Sequence, residues 1–136
     1  MEAKTSKDYN VGDTISFSKT ITEFDVYTFA GVTGDLNPIH INSEYAKTTQ
    51  FGQRIAHGIL SVGFISNLLG ANPPGAVYMS QTCRFTKPVF IGDTVTATIE
   101  LLSKDEVKKR VVWRTYCTNQ KGEITLDGEA QLMYLV

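Results

Sequence analysis

The stretch from His57 to Leu69 limits this chain more than any other. Ile59, Leu60, Val62, Phe64, Ile65, Leu68 and Leu69, with Gly58 and Gly63 among them, point around the whole circumference of a helix. A helix apolar on nearly every side is expected to be buried on nearly every side. It falls short of the roughly 20 apolar residues that span a bilayer, so protein must surround it. Gly70 and then Pro73-Pro74-Gly75 stop it. Beyond Gly75 the pattern changes to strands: Val77 to Lys87, Thr94 to Leu101, Arg110 to Thr118 and Glu123 to Leu135. Pro88 to Asp93 and Asn119 to Gly122 are turns, and Lys104 to Lys109 is a charged connection. The third run places Val111, Trp113, Thr115 and Cys117 on one face. Short connections predict that these strands are antiparallel neighbours. The expected class is α+β, a curved antiparallel sheet wrapped around a long apolar central helix.

The N-terminal part supplies a short strand, Thr14 to Ser18, and then a helix over Glu23 to Thr33. Thr22 caps that helix, Asp25 stands at its third position, and Ile21 can staple against Val26. Val26, Phe29, Ala30 and Thr33 form its inward stripe, and Gly34 suits the left-handed position that ends it. Ser43 is the expected cap of a second, short helix through Lys47. Val11-Gly12-Asp13-Thr14 echoes Ile91-Gly92-Asp93-Thr94. The flanking sequences differ, so shared turn chemistry at a strand start explains the echo, and no duplication is inferred. The 136 residues read as one domain, 1–136.

Thirteen basic residues against fourteen acidic ones leave a formal charge of −1, which argues against a nucleic-acid partner. No apolar run reaches membrane-spanning length, and the polar Met1-to-Lys7 segment lacks the core of a secretory signal. Cys83 and Cys117 make no disulfide framework, so a cytoplasmic protein with reduced thiols is expected.

The histidines, His40 and His57, lie in the loop-rich half. In Gly34-Asp35-Leu36-Asn37-Pro38-Ile39-His40, Pro38 fixes its own φ and drives Asn37 from helical geometry. The resulting stiff turn can bring the Asp35 carboxylate and the His40 imidazole to one water, as base and acid together. Taken by themselves, Asp35 and Asn37 are equally ordinary turn formers after a helix. His57 precedes the apolar helix, whose first amides lack partners and carry the positive end of the dipole. Gly58 would let a carbonyl approach those amides closely. His57 itself is expected to order this corner by hydrogen bonding. The two histidines and two cysteines show no metal-ligand spacing, so no metal is expected.

Gly34-Asp35-Leu36-Asn37-Pro38-Ile39-His40 matches the Gly-Asp-x-Asn-Pro-x-His signature of the MaoC-like hydratases. Phe51 to Leu60 and Phe85 to Asp93 match two further blocks, in order, along nearly the whole chain. The chain therefore resembles the short (R)-specific enoyl-CoA hydratases, which have the hot-dog fold. The resemblance implies catalytic roles for Asp35 and His40, with Asn37 positioning them and the Gly58 amide polarising a thioester carbonyl. It implies a substrate site that includes His57, with Ser66 and Leu69 lining an acyl pocket. It implies an acyl-CoA or acyl-ACP substrate, no metal or redox cofactor, and a homodimer. A 3-hydroxyacyl-ACP dehydratase, a thioesterase and a non-catalytic acyl-thioester binding protein are the rival readings.

Overall fold

The computed structural model describes residues 4–135, so Met1 to Ala3 of the polar N-terminal segment lie outside the described residues. After a 3-10 turn over Ser6–Asp8, the elements are β1 (Thr14–Thr20), α1 (Glu23–Thr33), α2 (Pro38–Ile41), α3 (Ser43–Lys47), α4 (Gly58–Ala71), β2 (Val77–Phe85), β3 (Thr94–Asp105), β4 (Arg110–Thr118) and β5 (Ile124–Met133). The five strands form one antiparallel sheet in the order β1-β3-β4-β5-β2. No helix among the described residues is long and apolar enough to cross a membrane.

The expected alternation holds where the sheet meets the helix. Val95, Ala97, Ile99 and Leu101 of β3, Val111, Trp113 and Cys117 of β4, and Leu126, Ala130 and Leu132 of β5 are buried with Ile65, Leu68 and Leu69 of α4. Thr115 is buried on the same β4 face, and its hydroxyl accepts from Gln81 Nε2 at 2.8 Å. Cys117 Sγ lies 3.9 Å from the Ser61 carbonyl, which joins β4 to α4 directly.

Burial of α4 is incomplete, contrary to the expectation from its composition. Ile59 is 55% exposed, and Gly63, Ser66, Asn67 and Gly70 are open along the same side. The sheet ends at β2, whose Val77, Tyr78 and Met79 are also exposed. Five strands curl around only part of the helix circumference.

The sequential order of strands also needs correction. β2 does not neighbour β3; it pairs with β5 at the opposite edge. The segment expected as a simple turn, Pro88 to Asp93, carries the chain across the mouth of the sheet. There Val89 O accepts from Ala56 N at 2.7 Å, and Ile55 bridges Phe90. The close pairing of β2 with β5 depends on Gly128: a Cβ there would stand 1.8 Å from the Thr82 carbonyl oxygen.

At the N-terminal end α1 has the expected bounds. Thr22 Oγ1 accepts from Asp25 N at 3.3 Å, and Asp25 Oδ2 accepts from Thr22 N at 2.8 Å. Gly34 ends the helix at φ 78°, its N–H donating to Ala30 O. Val26 and Ala30 are buried, whereas Phe24 and Val32 face outward. Asn42, one residue before the expected Ser43, caps α3 through Oδ1 to Tyr45 N at 3.0 Å. The paired Gly-Asp-Thr turns sit at opposite ends of the β1–β3 ladder with matching bonds. Gly12 N donates to Leu101 O and Gly92 N to Ile21 O, each at 2.8 Å. Asp13 Oδ2 accepts from Asn10 N and Asp93 Oδ2 from Phe90 N. Shared turn chemistry accounts for the echo.

Gly128→Ala forces a methyl group into the Thr82 carbonyl. The expected cost is at least about 1–3 kcal/mol, the usual range for overpacking. Thermal unfolding followed by circular dichroism should show a lowered midpoint; an unchanged midpoint would contradict the β2–β5 packing described.

Candidate active site

Three chain segments converge at the N-terminus of α4. The first is the bend after α1. Asp35 N donates to Thr33 Oγ1 at 3.2 Å, and Asp35 Oδ1 accepts from Asn37 N at 3.2 Å. Asn37 then caps α2, its Oδ1 accepting from Ile39 N at 3.2 Å, with Pro38 at the first helical position. One carboxylate oxygen of Asp35 is thus held by the backbone while the side chain stays exposed. Asn37 acts on the carboxylate through its amide N–H, and its side chain is occupied in capping.

The second segment is α2, which carries His40, 9% exposed. His40 Nδ1 lies 2.7 Å from the Ile55 carbonyl oxygen. A carbonyl only accepts, so Nδ1 carries the hydrogen and Nε2 keeps its lone pair in the neutral ring. Burial holds the His40 pKa below its ordinary 6.5. The neighbouring His57 adds to that, while the Ile55 bond and the Asp35 charge oppose it.

The third segment brings His57, 2% exposed, whose Nε2 donates to the Asp35 carbonyl at 3.0 Å. Its ring lies 4.0 Å from that of His40, centroid to centroid, with planes 32° apart, and 4.7 Å from that of Phe29. His57 Nδ1 is buried without a hydrogen-bond partner among the described residues. His57 therefore orders the corner, as its position before the helix suggested, by fixing the main chain of Asp35. A carboxylate oxygen of Asp35 and one ring nitrogen from each histidine lie within 4.8 Å of one another.

These donors could be taken for a metal set, but the geometry does not suit one. Each histidine donates one N–H to a carbonyl and keeps one lone pair, so the direction of those lone pairs decides. The rings are stacked, so an ion in the plane of one would lie well out of the plane of the other. Zinc takes histidine nitrogens at about 2.0–2.1 Å along their lone pairs, in tetrahedral array. The cluster suits proton handling better.

His57 is also the N-cap of α4 and makes no side-chain bond to its first-turn amides. The fourteen-residue helix therefore presents free N–H groups and its positive end here. A Cβ at Gly58 would meet the Phe85 ring at 2.6 Å, so any larger residue here would displace that exposed ring. Recesses flank this first turn. A cavity of about 450 Å³ is lined by Phe51, Ile55, Gly58, Phe85, Pro88 and Val89 among others. A shallower trough on the far side of Ile59 is lined by Phe29, Val62, Ser66, Tyr78 and Gln81 among others. Ser66 thus reaches a recess, whereas Leu69 is fully buried in the core and lines neither. Phe29 and Phe85 also shape the site; the inward stripe of α1 and the block from Phe85 contain them without marking them as site residues.

A family model for the MaoC like domain matches residues 7–121. An (R)-specific enoyl-CoA hydratase of Rhodospirillum rubrum is 49% identical over 129 residues, 93% of this chain and 89% of that protein. A 3-hydroxybutyryl-CoA dehydratase of Methylorubrum extorquens is 46% identical over 127 residues, 91% of this chain and 80% of that protein. The unliganded structure of an R-hydratase from Pseudomonas aeruginosa superimposes with a TM-score of 0.88 at 43% identity, covering 93% of this chain and 83% of that one.

The hydrogen-bond pattern predicts opposite neutral tautomers for the two histidines. Nitrogen-15 NMR of labelled protein should find the hydrogen on Nδ1 of His40 and on Nε2 of His57. A hydrogen on Nε2 of neutral His40 would contradict the assignment.

Proposed function

The chain belongs to the MaoC-like domain family, and on that premise we propose that it is a hydro-lyase, an (R)-specific enoyl-CoA hydratase, reversibly adding water to a trans-2-enoyl-CoA. The observation that carries this reading is the meeting of Asp35 and His40 within 4.8 Å beside an uncapped helix N-terminus. The Gly58 amide holds the thioester carbonyl oxygen and stabilises the negative charge it gains. That withdrawal makes the β-carbon electrophilic. Asp35 and the Nε2 lone pair of His40 orient one water. As its oxygen bonds to the β-carbon, the pair accepts its proton. The α-carbon then takes up a proton from the pair, giving the 3-hydroxyacyl thioester with no net change in the enzyme. The addition changes no oxidation state overall and calls on no redox cofactor.

A thioester has two arms, and the two recesses meet at the first turn of α4. The Ser66 trough takes the acyl arm, and the cavity beside Phe51 and Phe85 takes the carrier arm. Ile59 on the open side of α4 and Val77, Tyr78 and Met79 on the edge strand β2 are exposed, which suits a homodimer that closes over the trough. The proposed setting is the cytoplasm, in keeping with Cys83 and Cys117 as free thiols.

Ultraviolet assay of enoyl-CoAs of graded length, with chiral analysis of the product, tests the reaction. Crotonyl-ACP beside crotonyl-CoA separates the two carriers. Asp35→Asn and His40→Gln should each lower turnover about a hundredfold to ten-thousandfold, as loss of a proton carrier does. Near-normal rates in both would refute the roles. The active form has neutral His40, whose pKa is depressed below 6.5. kcat/KM should therefore fall on the acid side with the midpoint of the limb below 6.5. An acid limb centred above 6.5 would contradict this.

A further inference from the structure

His40 stands on a helix of four residues. Isolated helices below about 12 residues are marginal, so the position of the imidazole must be fixed from outside. The two-residue step Arg54–Ile55 does this from several sides. Ile55 N donates to Ile39 O at 3.2 Å, and Ile55 O accepts from His40 Nδ1 at 2.7 Å. Arg54 Nη1 donates to the His40 carbonyl at 3.4 Å and to the Tyr27 hydroxyl at 3.2 Å. Arg54 Nη2 pairs with the Glu23 carboxylate, and the guanidinium carbon stands 5.6 Å from the Tyr27 ring centroid. Glu23 and Tyr27 share one face of α1, the helix whose far end leads into Asp35.

Exposed ion pairs usually contribute little. This one differs, because the Arg54 side chain is only 11% exposed and its fork is divided among three acceptors on two helices. A lysine point charge cannot reproduce that planar fork. We propose that Arg54 is a positioning residue, which joins α1 to α2 and thereby sets the separation of the Asp35 carboxylate and the His40 imidazole without touching either reacting group. The inference rests on the proposed hydration. It adds a determinant that lies outside the residues placed on substrate or water.

The test compares Arg54→Lys and Arg54→Gln with the parent chain for kcat, KM, thermal midpoint, the acid limb of kcat/KM, and the nitrogen-15 titration of His40. Misplacement of a proton carrier lowers kcat, so both variants should lose roughly tenfold to a hundredfold. KM should stay within about twofold, because the thioester contacts are untouched. Burial is the largest cause of the depressed His40 pKa. Water admitted beside a loosened α2 should move the acid limb, and the His40 titration, up toward 6.5. Lysine should not rescue. If kcat and the acid limb stay as in the parent while only the midpoint falls, Arg54 serves the fold alone and the proposal is overturned. Should Arg54→Gln fail to fold, Glu23→Gln, at the 56% exposed partner, provides the milder case. It should lower kcat in the same direction, and an unchanged kcat would overturn the proposal. If the parent itself hydrates no enoyl-CoA, the proposed function fails separately. The His40 titration then still decides: an unshifted titration in Arg54→Lys refutes the positioning role.

Discussion

Withdrawal of Ile65, Leu68 and Leu69 from water against the concave face of β3, β4 and β5 fixes where α4 lies. Each such side chain contributes about 1.5–3 kcal/mol on full burial. Fixing the helix also fixes its first turn, and with it the free amides, Gly58 and His57. The connection from β2 to β3 completes the placement, because Val89 and Phe90 hold Ile55 and Ala56 at the mouth of the sheet. Ile55 in turn accepts the hydrogen bond of His40. The proposed chemistry therefore hangs on the core through a short chain of backbone contacts.

The two histidines divide the work between them. They are stacked and nearly equal in chemical type, yet each gives its hydrogen to a different carbonyl. His40 is left with an accepting nitrogen, Nε2, and burial lowers its pKa. His57 is turned the other way and anchors the Asp35 main chain. Asp35 is thus fixed twice, through its carbonyl by His57 and through its carboxylate by the Asn37 amide. Local hydrogen bonding gives a physical basis for the difference that their sequence positions suggested.

Much of this is legible in the residues. The Thr22–Asp25 capping box and Gly34 set the bounds of α1, and alternation in Val111 to Cys117 marks the buried face of β4. The Asp35-to-His40 signature marks the candidate site. The illegible parts have physical causes. The order of strands depends on a crossing segment with no periodicity, so short connections point to β2 beside β3, whereas it lies beside β5. The open side of α4 depends on how far five strands reach around it, which composition does not encode. α2 is too short to show a helical repeat. Phe29 and Phe85 reach the site from distant parts of the chain, so the helical stripe and the block that contain them do not announce that they meet there.

Whether Asp35 and His40 share one water opposite a carbonyl held at Gly58 is decided by a crystal structure with a bound (R)-3-hydroxyacyl-CoA. The product hydroxyl oxygen should lie within hydrogen-bond distance of both the Asp35 carboxylate and His40 Nε2, with the thioester oxygen on the Gly58 amide. A hydroxyl directed away from either side chain, or a thioester oxygen held elsewhere, would show that the water and the carbonyl are not held as described.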